Sequence, residues 1–221
     1  MKIRNLIPSL ITALGCTKPT PTMLTTGGDE APAEQGRTYR WSFKEAAGGA
    51  VSPDFLSVLG VWRVEAVDPA TATPNVLRQT GSFKNPDFPR VIVKGLTFTD
   101  LTVRVRCRPE TGDIDRACGV MFRAKDSDNY YIARANALEG NVRLYRVVNG
   151  DRQQFGSADL EVTAGEWHTL EASAQGTKLT VSWDGRSVIE ATDASFASGK
   201  IGLWTKSDSV TAFDDLQALA R

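Results

Sequence analysis

Residues Cys118 to Phe155, CGVMFRAKDSDNYYIARANALEGNVRLYRVVNGDRQQF, constrain the fold more than any other stretch of the chain. Apolar and polar residues alternate through four runs, interrupted at Lys125 to Asp128, at Ala137 to Gly140 and at Asn149-Gly150. A period of two marks strands, and Asn-Gly between such runs marks a tight hairpin. The stretch therefore reads as an antiparallel meander. The turns fix its registers: Phe122 opposite Tyr131, Val120 opposite Ala133, Ala135 opposite Val142, Ala133 opposite Leu144, and Leu144 opposite Phe155.

These pairs define an apolar core face. The same registers put Met121, Arg123, Tyr130, Ile132, Arg134, Asn136, Arg143, Tyr145, Arg152 and Gln154 on the opposite face, and Arg104 is expected to join them from the preceding strand. Tyrosine rings stack on the C–H faces of sugars, and guanidinium groups donate fixed hydrogen bonds to hydroxyl or carboxylate oxygens. Such a face suits a carbohydrate. It is also what a plain solvated sheet surface contains, although arginines gathered in one patch repel unless acids or a ligand offset them.

The rest of the chain extends the β pattern. Strands are expected at Thr38 to Phe43, Val61 to Val67, Asn75 to Ser82, Arg90 to Lys94 and Thr97 to Arg108. Further ones follow at Glu166 to Ala174, Lys178 to Trp183, Arg186 to Thr192, Gly199 to Thr205 and Val210 to Gln217. Lys44 to Gly60 reads as a loop. Asp184-Gly185 is a second hairpin signal. Turn signals recur every eight to twelve residues and no long 3.6-residue period appears, which predicts an all-β, two-sheet antiparallel jelly-roll sandwich. Trp183 shares parity with Leu179 and Val181 and belongs to the core. Trp204 has the opposite parity to Ile201 and Leu203 and is expected to face outward and extend the sugar platform.

The N-terminus carries targeting information. Lys2 and Arg4 precede the apolar run Leu6 to Gly15, too short to span a bilayer but of secretion-signal length. The run ends in Thr12-Ala13-Leu14-Gly15-Cys16, similar to a bacterial lipobox. Ala13 departs from the commoner Leu, so ordinary signal cleavage stays open beside lipidation of Cys16. Residues 1–16 are thus read as the signal, 17–36 as a Thr/Pro/Gly-rich tether without apolar periodicity, and 37–221 as the folded domain. The expected place is the bacterial cell envelope, with the membrane reached through the N-terminal lipid. Lys+Arg and Asp+Glu balance at 26 each, which leaves no global field for nucleic acid.

With Cys16 assigned to the signal, Cys107 and Cys118 remain, either as a disulfide or as two buried thiols. Placing Cys107 opposite Cys118 in one antiparallel pair also sets Val105 against Val120, Val103 against Phe122 and Leu101 against Ala124.

The segments GVMFRAKDSDNYYIARANALEGNVRLYRVVNG, GEWHTL, WDG and GKIGLWTKSDSVTAFDDL resemble the concanavalin-A-like domain family of 3-keto-disaccharide hydrolases, related to glycoside hydrolase family 16. The likeness runs from about Trp41 to Leu216. It implies a curved sandwich, exported, whose concave face binds glycosides. The family's usual opening segment before its first Trp is replaced here by WSFKEAAGGAVSPDFLSVLGVW. The E-x-D-x-x-E motif of active family 16 enzymes is absent from the chain. That motif sets acids at alternate strand positions on one face for nucleophilic and acid/base roles; its absence argues against retaining hydrolysis of that type.

If the chain is a catalyst, Glu139 is the first candidate for general acid or base, because Arg134 and Asn136 lie close in sequence and a neighbouring Arg would set its protonation. Asp126, Asp128 and Glu65 are weaker candidates. The substrate-binding set expected around Glu139 is Arg123, Tyr130, Arg134, Asn136, Arg143, Tyr145 and Trp204. His168, the one histidine, is read as structural, since a triad or zinc site has no partners to draw on. Related sandwiches hold calcium on a late-strand acid together with backbone oxygens, which makes Asp214 of the Asp214-Asp215 pair the expected Ca²⁺ ligand. Two functions follow: a glycosidase, with 3-keto-glycosides among its substrates, or a lipid-tethered carbohydrate-binding module without chemistry.

Overall fold

Alternation of apolar and polar residues, with Gly, Asn and Asp at the breaks, leaves this chain little choice but sheet. A computed structural model describes residues 30–44, 48–49, 51–67 and 75–221, and all their regular structure is β. The strands are β1 Ala31–Pro32, β2 Thr38–Trp41, β3 Phe55–Leu59, β4 Trp62–Ala66, β5 Asn75–Gln79, β6 Arg90–Val93, β7 Leu96–Thr97, β8 Leu101–Thr111, β9 Ala117–Ala124, β10 Tyr130–Asn136, β11 Asn141–Val148, β12 Asp151–Asp159, β13 His168–Gln175, β14 Lys178–Trp183, β15 Arg186–Thr192, β16 Lys200–Trp204 and β17 Val210–Ala220.

Two antiparallel sheets form the sandwich. One has seven strands in the order β12-β11-β10-β9-β16-β6-β3. The other has eight: β15-β14-β13-β8-β17-β5-β4, with β2 also paired to β17. Val103, Val105, Leu170, Ala172, Val181 and Phe213 of the larger sheet meet Val120, Phe122, Ala133, Leu144, Ile201 and Leu203 of the smaller in one buried core.

Within the meander the turns set the registers as expected. Phe122 lies opposite Tyr131, Val120 opposite Ala133, and Ala135 and Ala133 opposite Val142 and Leu144. The last pairing differs. A bulge between Leu144 and Tyr145 brings Gly156, not Phe155, opposite Leu144; one extra residue in β12 shifts the register there. Asp184 and Gly185 both have positive φ, 48° and 79°, the conformation of a two-residue hairpin turn.

Cys107 and Cys118 form a disulfide, with Cα atoms 6.3 Å apart. It does not join neighbouring strands. β8 pairs with β13 and β17, whereas β9 pairs with β10 and β16, so the bond crosses from sheet to sheet. The connection after Thr111 crosses between the layers instead of making a hairpin, and apolar residue meets apolar residue through the core rather than along a ladder. Closing a loop of this length stabilises the fold by about 3 kcal/mol.

Two short strands escaped the pattern. β3 lies inside the expected 44–60 loop and pairs with β6. β1 lies inside the expected tether and runs parallel to β7; Lys200 pairs with Glu30 beside it. The described fold thus begins ahead of residue 37. The secretion signal and Cys16 lie outside the described residues.

The loop after β15 is tied to the core by Asp193. Its carboxylate accepts from Tyr131 Oη at 2.6 Å, from the Ser195 N–H at 2.8 Å and from Arg146 Nη1 at 2.6 Å. Burial pushes this carboxyl up, but Ser195, Tyr131 and Arg146 together hold it at about 2. A depressed folded value contributes stability above the ordinary carboxylate value and loses it as pH falls through the folded one, here about 2.5 kcal/mol between pH 3.8 and pH 2. Asp193→Asn is expected to lower urea stability by about 2 kcal/mol at pH 7. Its difference from wild type should shrink towards pH 2, and a difference independent of pH would contradict the assignment.

Candidate functional site

The outer face of the seven-stranded sheet is itself largely buried. Met121, Tyr130, Ile132, Tyr145, Val147 and Trp204 pack there as a second apolar cluster, with Phe88 against it. Phe88 stacks on Trp204 at 5.2 Å between ring centres. The segment that carries Phe88 is held across the sheet end by Thr205 N–H to Pro89 O and Ser207 N–H to Asp87 O, 2.8 and 2.9 Å.

The registers place the polar residues in rows. One row reads Trp204, Gly119, Arg134, Arg143, Ser157; the next towards the strand ends reads Ala117, Asn136, Asn141, Asp159. Glycine at 119 suits this crowding, since a Cβ there would come within 2.8 Å of Ile132 Cδ1, 3.1 Å of Ala133 O and 3.2 Å of Arg134 Cβ and would make its neighbours give way.

Arg134 is the centre of the site. It is 1% exposed. Nη1 donates to Asn141 Oδ1 at 2.7 Å, and Nη2 donates to Glu139 Oε2 at 2.7 Å and Tyr145 Oη at 3.2 Å. Arg143 Nη1 stands 3.7 Å from the same Glu139 oxygen. The Glu139 turn is shaped by Asn136, whose Oδ1 accepts the Leu138 and Glu139 N–H groups and whose Nδ2 donates to Asp115 Oδ1 at 2.7 Å. Asp115 also pairs with Lys206. Asp208 holds the Asp115 loop by accepting the N–H groups of Asp113, Ile114 and Asp115.

The two carboxyl groups are pushed apart. Burial drives Asp115 above the usual carboxylate range, against the opposing pull of Lys206 and Arg134. Burial acts the same way on Glu139, but there the hydrogen bond and charge of Arg134, with Asn141 and Arg143, win and hold it below. Glu139 is therefore a carboxylate at neutral pH, suited to accept a proton and not to donate one.

Arg134, Asn136, Arg143, Tyr145 and Glu139 come together as expected. Three others do not serve as expected. Arg123 has φ 47°, which breaks the alternation, so Ala124 takes the outward position. Its guanidinium turns away to Thr99 O, Gly176 O, Phe196 O and Asp100 Oδ1 and clamps loops together. Trp204 does lie on this face, but Phe88 covers it and it is wholly buried, so it offers no open platform. Tyr130 is likewise buried within the cluster. Arg104 belongs to β8 in the other sheet and is exposed on the far side of the sandwich.

Among the remaining candidates, Glu65 pairs with Arg78 in the eight-stranded sheet, Asp128 with Arg90, and Asp126 caps its own turn. His168 lies between Asp184 Oδ2 at 2.8 Å and Thr163 O at 3.1 Å and stacks on Trp183, a structural setting. Asp214 meets one requirement of a calcium ligand, a buried carboxylate oxygen with no hydrogen-bond donor. Asp215 is engaged by Lys44 and Arg106, and no group of three metal-ligating side chains occurs among the described residues. Asp115, Asn141, Lys206 and Phe88 were not expected here. Asn141 shares parity with Arg143 and was within reach of the pattern; Asp115, Lys206 and Phe88 come from loops and follow no period.

Sign and cause give a test of the Arg134–Glu139 pair. Glu139, with its lowered value, contributes stability above the ordinary value of 4.5 and loses it as pH falls below. Glu139→Gln should therefore destabilise the protein at neutral pH, and the gap in thermal midpoint should close in acid. A gap that persists unchanged in acid would show that the carboxylate charge is not what holds Arg134.

Comparison with known proteins bears on the fold and the family. Part of the chain is 26% identical over 113 residues to levanase of Bacillus subtilis strain 168, a match that spans 51% of this chain and 17% of levanase. The carbohydrate-binding module CBM66 of Bacillus subtilis superposes with a TM-score of 0.63 at 21% identity, over 74% of this chain and 94% of the module. The β-glucanase of Bacillus licheniformis superposes with a TM-score of 0.59 at 14% identity, over 85% of this chain and all of that one. Residues 62–218 match the profile of the 3-keto-alpha-glucoside-1,2-lyase-like domain, and the chain belongs to that family.

Proposed function

We propose that this carbohydrate-active β-sandwich holds a sugar against the outer face of its seven-stranded sheet and cleaves 3-keto-glucosides there by elimination. One observation carries the reading. Nε of Arg134, Nε of Arg143 and Nη1 of Arg152 are buried donors without a hydrogen-bond partner, all on the outer face of the seven-stranded sheet. Donors without acceptors suit a ligand rich in oxygen.

The chemistry follows from Glu139, the carboxylate held beside Arg134 and Arg143. A ketone at C3 acidifies the C2 proton. Glu139 takes that proton, the electron pair forms an enolate across C2 and C3, and its collapse expels the C1 oxygen substituent to leave a C1=C2 double bond conjugated with the ketone. The departing alkoxide takes up a proton. Arg134 and Arg143, already on Glu139, supply positive charge for the enolate oxygen. Retaining hydrolysis needs a second carboxyl group as proton donor, and Asp115, at 1% exposure and paired with Lys206, is sealed from the face. A second reading, binding without turnover, is favoured by the tight Arg134–Glu139 pair, which lowers the basicity of Glu139.

One assay separates these readings. Full chain incubated with a 3-keto-glucoside should release the aglycone together with an ultraviolet-absorbing enone, and Glu139→Gln should slow this by about 100-fold or more. Free 3-keto-glucose would mean hydrolysis. Sugar binding without any product would support the module, and neither binding nor turnover would end the carbohydrate reading.

We propose also that the domain is exported and anchored through Cys16. The disulfide supports an oxidising compartment, and the run before Cys16 supports a signal. Metabolic labelling with palmitate should mark the wild-type chain and not Cys16→Ser; equal membrane fractionation of the two would remove the anchor.

A further inference from the structure

The arginines of the outer face outnumber the carboxylates that meet them. Glu139 serves both Arg134 and Arg143 through one oxygen. Asp115 is taken by Lys206. Arg152 is left. Among the described residues its guanidinium forms no ion pair, and its Nη1 is buried without a hydrogen-bond partner. It is surrounded by rings instead: its central carbon lies 4.5 Å from the Tyr145 ring centre, 4.9 Å from Phe88 and 5.9 Å from Trp204. Arg134 stands 5.7 Å from the same Tyr145 ring, so two guanidinium groups share one aromatic ring with one carboxylate near the first of them. Burial lowers the Arg152 pKa and the Arg134 charge adds to this, while Tyr145 and, from further off, the Asp115 carboxylate and Tyr130 oppose it.

A half-buried cation without an ion-pair partner costs free energy unless something anionic joins it. Stacking occupies the face of a guanidinium and leaves the N–H donors in its edge, where a planar carboxylate fits both oxygens in plane. Arg134, which holds Glu139, and Arg152 both lie within 6 Å of the Tyr145 ring centre, so the carboxylate and the unpaired guanidinium flank one aromatic ring. In a pyranose the carbon that bears C6 stands across the ring from C2. A sugar placed with C2 at Glu139 therefore directs its C6 group away from that carboxylate.

We infer that the outer face takes a glycan whose terminal residue is a hexuronic acid, with the C6 carboxylate received by the edge of Arg152. This rests on the reading of that face as a sugar site and adds the class of sugar. Neutral hexosides fill the same place without satisfying Arg152.

Calorimetric titration of the full chain with matched oligosaccharides ending in glucose, in glucuronic acid and in 6-sulfated glucose tests it. The uronate should bind at least about tenfold more tightly than the neutral sugar, and more tightly than the sulfate. The preference should weaken with added salt. Arg152→Gln should bring the ratio of uronate to neutral affinity to about one, and Arg152→Lys, which keeps the charge without the planar fork, should retain only part of it. Equal binding of neutral and uronate sugars, equal binding of sulfate and uronate, or a preference that survives Arg152→Gln overturns the inference while the sugar site stands. Absence of binding by all three overturns the sugar site and the inference together.

Discussion

A guanidinium group taken out of water must have its charge answered and its donors filled, or it destabilises the fold by several kcal/mol. The outer face of the seven-stranded sheet is built under that constraint. Arg134 is buried at the centre of it, and its neighbours are those that can answer it: Glu139 for charge, Asn141 and Tyr145 for donors. Gly119 leaves the room it needs. The apolar cluster of Met121, Ile132, Tyr145 and Trp204 supplies the low-dielectric floor that makes the pair stronger than it would be in water.

Much of this was legible in the sequence, and the failures have physical causes. Turn chemistry and alternation fix registers inside a hairpin, so Phe122–Tyr131 and Ala135–Val142 could be paired on paper. They do not fix which sheet a strand joins. Cys107 and Cys118, with Val105, Val103 and Leu101 against Val120, Phe122 and Ala124, satisfy the same apolar matching whether the strands are neighbours in a sheet or face each other through a core. Only the crossing after Thr111 decides, and nothing periodic marks it. The bulge at Leu144 and Tyr145 is equally silent, because one extra residue changes no composition.

Arg123 and Arg134 show the same limit for the site. In sequence they look alike, each beside an alanine in an alternating run. A left-handed φ at Arg123 turns one into a clamp on Thr99, Phe196 and Gly176 carbonyls, while the other keeps its parity and lines the face. The left-handed φ falls at an irregularity of the β9–β16 ladder, between the Lys200–Ala124 and Gly202–Met121 pairs, where β9 carries an extra residue. Local pattern does not contain it.

The loops then decide what the face can do. Asp208, with its carboxylate on three N–H groups, sets the 113–115 loop. That loop delivers Asp115 to Asn136, Asn136 ties down the turn that carries Glu139, and Glu139 closes on Arg134. Asp115 and Glu139 sit in the same field of arginines, yet burial wins at Asp115 and the arginine wins at Glu139. One carboxyl is thereby spent on holding the scaffold, and the other is kept ionised at the surface of the site. A face whose arginines gather round one carboxylate, with the nearby Asp115 buried, is poorly equipped for a two-acid hydrolysis. It is well equipped for holding oxygen-rich rings and for stabilising an anion that forms beside a base, and this distribution of charge ties the chemistry of the face to loops that no strand pattern announces.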